Sequence, residues 1–220
     1  MYCQHRAFDT PPNGQIVWRY MSFTKFVWLI AKESLHFSRL DQHNDWWEGM
    51  LPRGENIENK KYIRYNKFIN CWHMNNSESD AMWKLYGNPI GETVAIRTTV
   101  GCLKKSLKNY PFPVYMGKIN YKEKNIPEGN LYFPVIYKRK PFQHEQELRL
   151  CISGDNSNPP HIDLDNLKEI GMKGMPIHID LNHLIDKVVI CPNSSHWLFD
   201  SVEYIVKGKI PNKKIVKSII

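Results

Sequence analysis

Two glutamates one residue apart, Glu145 and Glu147, open the segment Glu145-Gln146-Glu147-Leu148-Arg149-Leu150-Cys151-Ile152, the most chemically suggestive stretch of the sequence. Read as a strand of period two, it directs Glu145, Glu147 and Arg149 to one face and Leu148, Leu150 and Ile152 to the other. Like charges held this close raise the pKa of one of them, which suits acid/base work and the stabilisation of an oxocarbenium-like state. The basic run Lys138-Arg139-Lys140 lies just upstream. The plainer alternative is an exposed charged face balanced by Arg149.

A second candidate is Arg19, followed by Tyr20 at the end of an apolar run, where a planar guanidinium can grip phosphate or carboxylate through two parallel hydrogen bonds. Its alternative is an ordinary surface arginine. A third set gathers Ser38, Asn44, Asp45, Trp83 and Tyr86. Trp83 and Tyr86 stand three apart on one helix face, where they can stack on a nucleobase or nicotinamide, although core packing explains such a pair as well.

Other chemistries lack their signatures. No Gly-x-Gly-x-x-Gly, P-loop, His-Glu-x-x-His or Gly-x-Ser-x-Gly occurs, which disfavours a Rossmann site, a Walker ATPase, a zincin and an α/β-hydrolase. The nine histidines are scattered, so no metal is expected. Five cysteines with no Cys-x-x-Cys pair suggest reduced thiols and a cytoplasmic setting. No apolar stretch approaches membrane-spanning length, so no membrane partner is expected. The net charge of +8 favours a polyanionic partner such as DNA or RNA.

The elements that must position these residues are short. Ile16 to Met21 is a β-rich run, Ser22 with Thr24 offers caps for a helix over Lys25 to Lys32, and Ser34 to Ser38 alternates as a strand. Asp41 to Glu48 is a polar and aromatic loop or short helix, and Pro52 to Lys61 is a polar stretch. Phe68 to His73 is a strand, and Ser79 or Asp80 caps a helix ended by Gly87-Asn88-Pro89. Thr93 to Thr98, Val114 to Tyr121 and Asp186 to Cys191 are further strands. Val100 to Leu107 is a helix, and Ser194 to Lys207 is a helix running into a strand. Short strands interleaved with short helices predict an α+β fold with mixed, mainly antiparallel sheets. An N-terminal arm, 1–14, precedes one domain, 15–220, with its core in 16–152 and a completing segment in 153–220.

The order of motifs resembles a widespread bacterial family described only as a domain of unknown function. The resemblance rests on Arg19-Tyr20, Phe37-Ser38, His43-Asn44-Asp45, Cys71-Trp72-His73, Met82-Trp83-Lys84-Leu85-Tyr86 and Lys140 leading into Glu145-Gln146-Glu147-Leu148-Arg149. Here His43, Phe142 and His144 replace aromatic residues usual in that pattern. The layout also looks like a compact ADP-ribosyltransferase, an NAD-consuming fold in which a first-strand Arg, a Ser-ended strand and a late Glu follow in order. That resemblance implies Glu147 as catalytic carboxylate and Glu145 as its assistant. It gives Arg19, Tyr20, Ser38, Trp83 and Tyr86 to NAD, and Asn44, Asp45, Lys140 and Arg149 to substrate. NAD would be a substrate, DNA or RNA an acceptor, and bacterial toxin or phage defence a fitting context, one that admits an inhibitory partner protein. Two rivals stay open: a magnesium nuclease using Asp45, Glu145 and Glu147 with Lys140, and a non-catalytic nucleic-acid module using Lys138, Arg139 and Lys140.

Overall fold

The computed structural model describes residues 1–43, 45, 48–49, 57–87, 91–122, 126–127, 129–154 and 173–220. Its elements run β1 (Ile16–Ser22), α1 (Phe23–Lys32), β2 (Ser34–Arg39), α2 (Ile57–Asn66), β3 (Lys67–Met74), α3 (Asp80–Tyr86), β4 (Thr93–Thr99), α4 (Val100–Ser106), β5 (Tyr115–Lys118) and β6 (Asn120–Lys122). They continue with α5 (Phe133–Ile136), β7 (Tyr137–Arg139), β8 (Glu147–Ser153), β9 (Gly174–His178), α6 (Leu181–Leu184), β10 (Lys187–Ile190), α7 (His196–Lys209) and β11 (Lys214–Lys217). Short 3-10 turns cover Leu40–Gln42 and Lys140–Glu145. The fold is α+β, with mainly antiparallel pairing. Among the described residues, no helix is long and apolar enough to cross a membrane.

Two compact units emerge, each discontinuous in sequence: one holds Met1–Pro11, His36–Cys71 and Pro111–Ile177, the other Pro12–Leu35, Trp72–Tyr110 and His178–Ile220. In the second, β4 lies between β1 and β10, antiparallel to both, from Ile16 opposite Thr99 to Ser22 opposite Thr93 and from Lys187 opposite Arg97 to Ile190 opposite Val94. Parallel β11 forms the outer edge beside β10. Val94, Ala95 and Ile96 are all fully buried, as a strand covered on both faces requires. Helix caps set the flanking elements. Ser22 accepts from the Lys25 amide, Ser79 from Met82 and Ser195 from Leu198, each satisfying a first-turn N–H that the helix itself cannot.

In the first unit, β5 and β8 pair antiparallel, with Gly117 opposite Arg149, and β8 also pairs with β3. Strand β2 pairs with β3 through Ser38 opposite Ile69, while β6 and β7 form a small parallel ribbon with Tyr121 opposite Lys138. The core gathers Leu40, Ile63, Ile69, Ile119, Val135, Ile136 and Cys151. Phe8 joins it, stacked on Tyr115 with centroids 5.7 Å apart, so this part of the N-terminal segment is docked. A Cβ at Gly117 would stand 2.9 Å from Phe8 Cβ, so only glycine lets that segment approach β5. The polar stretch before Tyr62 enters a helix, α2, anchored by buried Ile63.

Candidate active site

Strand β8 is buried at every position, on both faces, so the polar face expected of it points into protein. Glu147 and Arg149 are 3% and 0% exposed, which replaces the alternative of an exposed charged face. The Arg149 Nε donates to Glu147 Oε1 at 2.6 Å and Nη2 to Oε2 at 3.0 Å, a bidentate pair. Its remaining reach is also used, by Glu48 Oε1 at 3.2 Å and the Val135 carbonyl at 2.6 Å. An arginine sealed from water must be satisfied in this way or the fold loses several kcal/mol.

Glu145 does not continue the strand. It ends the 3-10 turn that starts at Lys140, and Gln146 turns the chain with φ of 40° before β8 begins. The period-two reading therefore fails by one residue, because Pro141 near the start of the turn and the left-handed Gln146 at its end set a different backbone. Both carboxylates nevertheless meet at one ammonium. Lys138, on β7, places Nζ 2.7 Å from Glu145 Oε2, 3.4 Å from Glu147 Oε2 and 3.3 Å from Glu48 Oε1. The Glu147 amide donates to the Tyr121 hydroxyl at 2.8 Å, and the Cys71 thiol donates to the Glu147 carboxylate.

These surroundings push the two acids apart. Burial would raise Glu147, but the Arg149 guanidinium and the Lys138 ammonium overcome it and hold the carboxyl at about 2. Burial raises Glu145 above the usual carboxylate range, with Lys138 only partly opposing it. Burial likewise pushes the Cys71 thiol and the Tyr121 phenol up, so both stay protonated. Burial pulls Lys138 down, yet Glu147 and Glu48 more than restore it, keeping it charged. His43, 3.5 Å from Glu48, is lowered, chiefly by burial.

The other sequence candidates fall as follows. Asp45 is buried against Arg139, with Oδ1 to Nη2 at 2.9 Å. Lys140 is exposed at the start of the 3-10 turn, and Ser38 lies on β2. Asn44 lies outside the described residues. Lys138 and Arg139 are turned to carboxylates, so the basic run does not form the stripe toward solvent that a nucleic-acid module needs. Among the described residues no group of three or more His, Cys, Asp or Glu is arranged to hold a metal ion. Where three carboxylates do converge, the Lys138 ammonium stands among them.

Arg19, Tyr20, Trp83 and Tyr86 belong to the other unit. The Arg19 guanidinium lies over the Trp72 ring at 5.9 Å. Tyr20 and Trp83 meet edge to face at 4.8 Å, both 5% exposed, and the Tyr20 hydroxyl accepts from the Ser79 amide. Burial pushes that phenol up to about 12. Trp83 also donates to Glu78 at 3.2 Å, so it packs as core, while Tyr86 is 44% exposed. A cavity of ≈ 370 Å³ is lined by Trp83 with Gly87, Gly91, Thr93 and Cys191, and not by Arg19, Tyr20 or Tyr86. Sequence reasoning missed Glu48, Tyr121 and Cys71. The acidic end of the loop at Glu48 and the Cys71-Trp72-His73 motif hinted at two of them without giving either a role.

No family model matches the chain. No curated protein matches it either. Among solved structures, Thermus sp. 2.9 DarT in complex with carba-NAD+ aligns over 94% of this chain and 97% of that one, with 11% identity and a TM-score of 0.42. The same protein in complex with NAD+ aligns over 95% and 98%, with 10% identity and a TM-score of 0.42.

Proposed function

We propose that this chain is an NAD-dependent ADP-ribosyltransferase or NAD-cleaving enzyme whose working carboxylates are Glu145 and Glu147. The observation that carries the reading is the shared ammonium: two acids on one Lys138 with their acidities driven in opposite directions, the arrangement that separates a fixed charge from a proton carrier. Glu147 stays ionised and supplies constant negative potential for an oxocarbenium-like ribosyl centre as nicotinamide leaves. Glu145, partly open to solvent, exchanges a proton with the ribose or with the acceptor nucleophile. Arg19 is the group that the sequence resemblance assigns to the pyrophosphate, and the positive net charge supports a nucleic-acid acceptor. The nuclease reading is not favoured, since its two carboxylates Glu145 and Glu147 already hold an ammonium and Asp45 a guanidinium.

The test is nicotinamide release from NAD, followed by mass spectrometry with and without DNA, RNA and cell protein, for wild type and Glu145→Gln. Release that is lost in Glu145→Gln, with the thermal midpoint retained, supports the reading, and an ADP-ribose mass gain names the acceptor. Wild-type protein that releases no nicotinamide with any acceptor overturns it.

A further inference from the structure

Helix α7 buries Leu198, Val202 and Val206 and turns two large aromatic side chains outward, Trp197 at 71% and Tyr204 at 83% exposure. They are not scattered. Trp197, Ser201, Tyr204 and Gly208 follow one another at spacings of four, three and four, which places them on a single ridge of the helix, alternating large and small. Gly208 is unexplained within its own chain: a Cβ there would meet nothing within 4 Å, and alanine would favour the helix by about 1 kcal/mol. Beside it lies a hollow of ≈ 710 Å³ lined by Asp200, Glu203, Tyr204, Lys207 and Gly208 among others.

We propose that this ridge is a self-association surface, on which a second copy of the chain packs its own α7 antiparallel across a two-fold axis. The sequence of the ridge is self-complementary about the midpoint between Val202 and Glu203. Trp197 and Gly208 lie equally far from that point on opposite sides, and so do Ser201 and Tyr204. An antiparallel two-fold therefore sets Trp197 over the Gly208 of the second copy and Tyr204 over its Ser201, a large side chain against a small one at each of four contacts. The small residues let the helix axes approach to about 8–10 Å, and the hollow beside Gly208 receives the indole.

Charge follows the same symmetry. Asp200 and Lys207 flank the ridge on one side, and the two-fold axis keeps that side facing its own copy. Asp200 then lies about 3 Å along the axis from the Lys207 of the second copy, within reach of its flexible stem, and the pair forms twice. Lys207 is exposed and within its own chain meets Glu203 at 2.6 Å, so it is positioned at the rim rather than committed to the core. A nucleic acid stacking on Trp197 and Tyr204 is less well served, because the rim of the hollow balances Asp200 and Glu203 against Lys207 and Lys209, a pattern that complements its own copy better than a polyanion.

Sedimentation velocity of the full chain, from about 1 to about 200 µM, spans the weak range expected of an interface at the small end of the size scale. Wild type passes from monomer to dimer across it. Trp197→Ala and Tyr204→Ala each weaken the dimer at least about thirtyfold with unchanged circular dichroism. Gly208→Leu separates the dimer from the fold: open space awaits the side chain in the monomer, so the thermal midpoint holds or rises while dimerisation is lost. Asp200→Lys weakens the dimer at least about tenfold, and adding Lys207→Asp restores it to within about threefold. A monomer at every concentration overturns the proposal, as does a dimer that Trp197→Ala and Gly208→Leu leave intact.

Discussion

Replacing Glu147 by Gln tests the charge cluster at its centre. Glutamine keeps the shape of a protonated glutamate, so the variant removes one charge and little else. With Glu147 held at about 2 against an ordinary 4.5, the ionised carboxylate contributes about 3 kcal/mol at neutral pH. Loss of one partner from a buried ion pair gives the same order, about 3–5 kcal/mol. A chain of this size then loses about 6–12 °C of thermal midpoint at pH 7. The sign with pH is fixed by the direction of the shift. A depressed carboxyl stabilises the fold fully above its unfolded value and ceases to do so as pH falls from about 4.5 to about 2. Glutamine already resembles the protonated acid, so the stability difference between wild type and Glu147→Gln should shrink toward zero over that window. Acids outside the cluster titrate alike in both proteins and cancel, while Glu145, which feels the Glu147 charge, binds its proton less tightly in the variant. Urea unfolding of the pair at several pH values reads the difference directly. A variant as stable as wild type at pH 7, or a difference that does not change with pH, would refute the account of Glu147 as a buried anion held by Arg149 and Lys138.

Lys138→Met removes the ammonium 2.7 Å from Glu145, so Glu145 should bind its proton more tightly still, and the acid limb of the pH profile for NAD turnover should move upward; an unmoved limb refutes the pairing. Gly117→Ala forces a Cβ to within 2.9 Å of Phe8 Cβ and should cost about 1–3 kcal/mol in unfolding experiments, with the loss traced to the docked N-terminal segment by its faster hydrogen exchange. Arg19→Ala should raise KM for NAD at least about tenfold with kcat retained; unchanged KM would remove Arg19 from the pyrophosphate role.

The parts of this fold legible in the sequence are those decided locally. Ser22 and Ser79 stand before apolar periodicity and do cap α1 and α3, because one side-chain oxygen facing the first turn is a short-range event. Strand β4 is likewise declared by its own residues. The site was legible only in composition. Glu145, Glu147, Arg149 and Lys138 are all conspicuous, yet their arrangement depends on partners that pattern does not reveal: Glu48 joins Arg149 across 101 positions of sequence. Period-two reasoning also treats one face of a strand as wet. Strand β8 is covered on both, so its charged face had to be neutralised from within rather than by water.

That neutralisation gathers an unusual number of charges. Among the described residues, Glu48, Glu145 and Glu147 bring three carboxylates to Lys138 and Arg149. A cluster serving only stability has little use for so many buried charges, since buried ion pairs are often replaceable by apolar residues without loss. Arg149 is shared by the two deepest acids, Glu48 and Glu147, whereas Glu145 is the least buried of the three and ends the 3-10 turn. Its placement depends on Gln146, exposed and held at a φ of 40° that costs an ordinary residue about 1 kcal/mol. Gln146→Gly relieves that strain while loosening the turn, so the thermal midpoint should hold or rise slightly while kcat for NAD turnover falls several-fold. Should the glycine variant unfold at a clearly lower temperature, the left-handed residue is not strained as described. Should its kcat equal that of wild type, the position of Glu145 against Lys138 does not govern the chemistry.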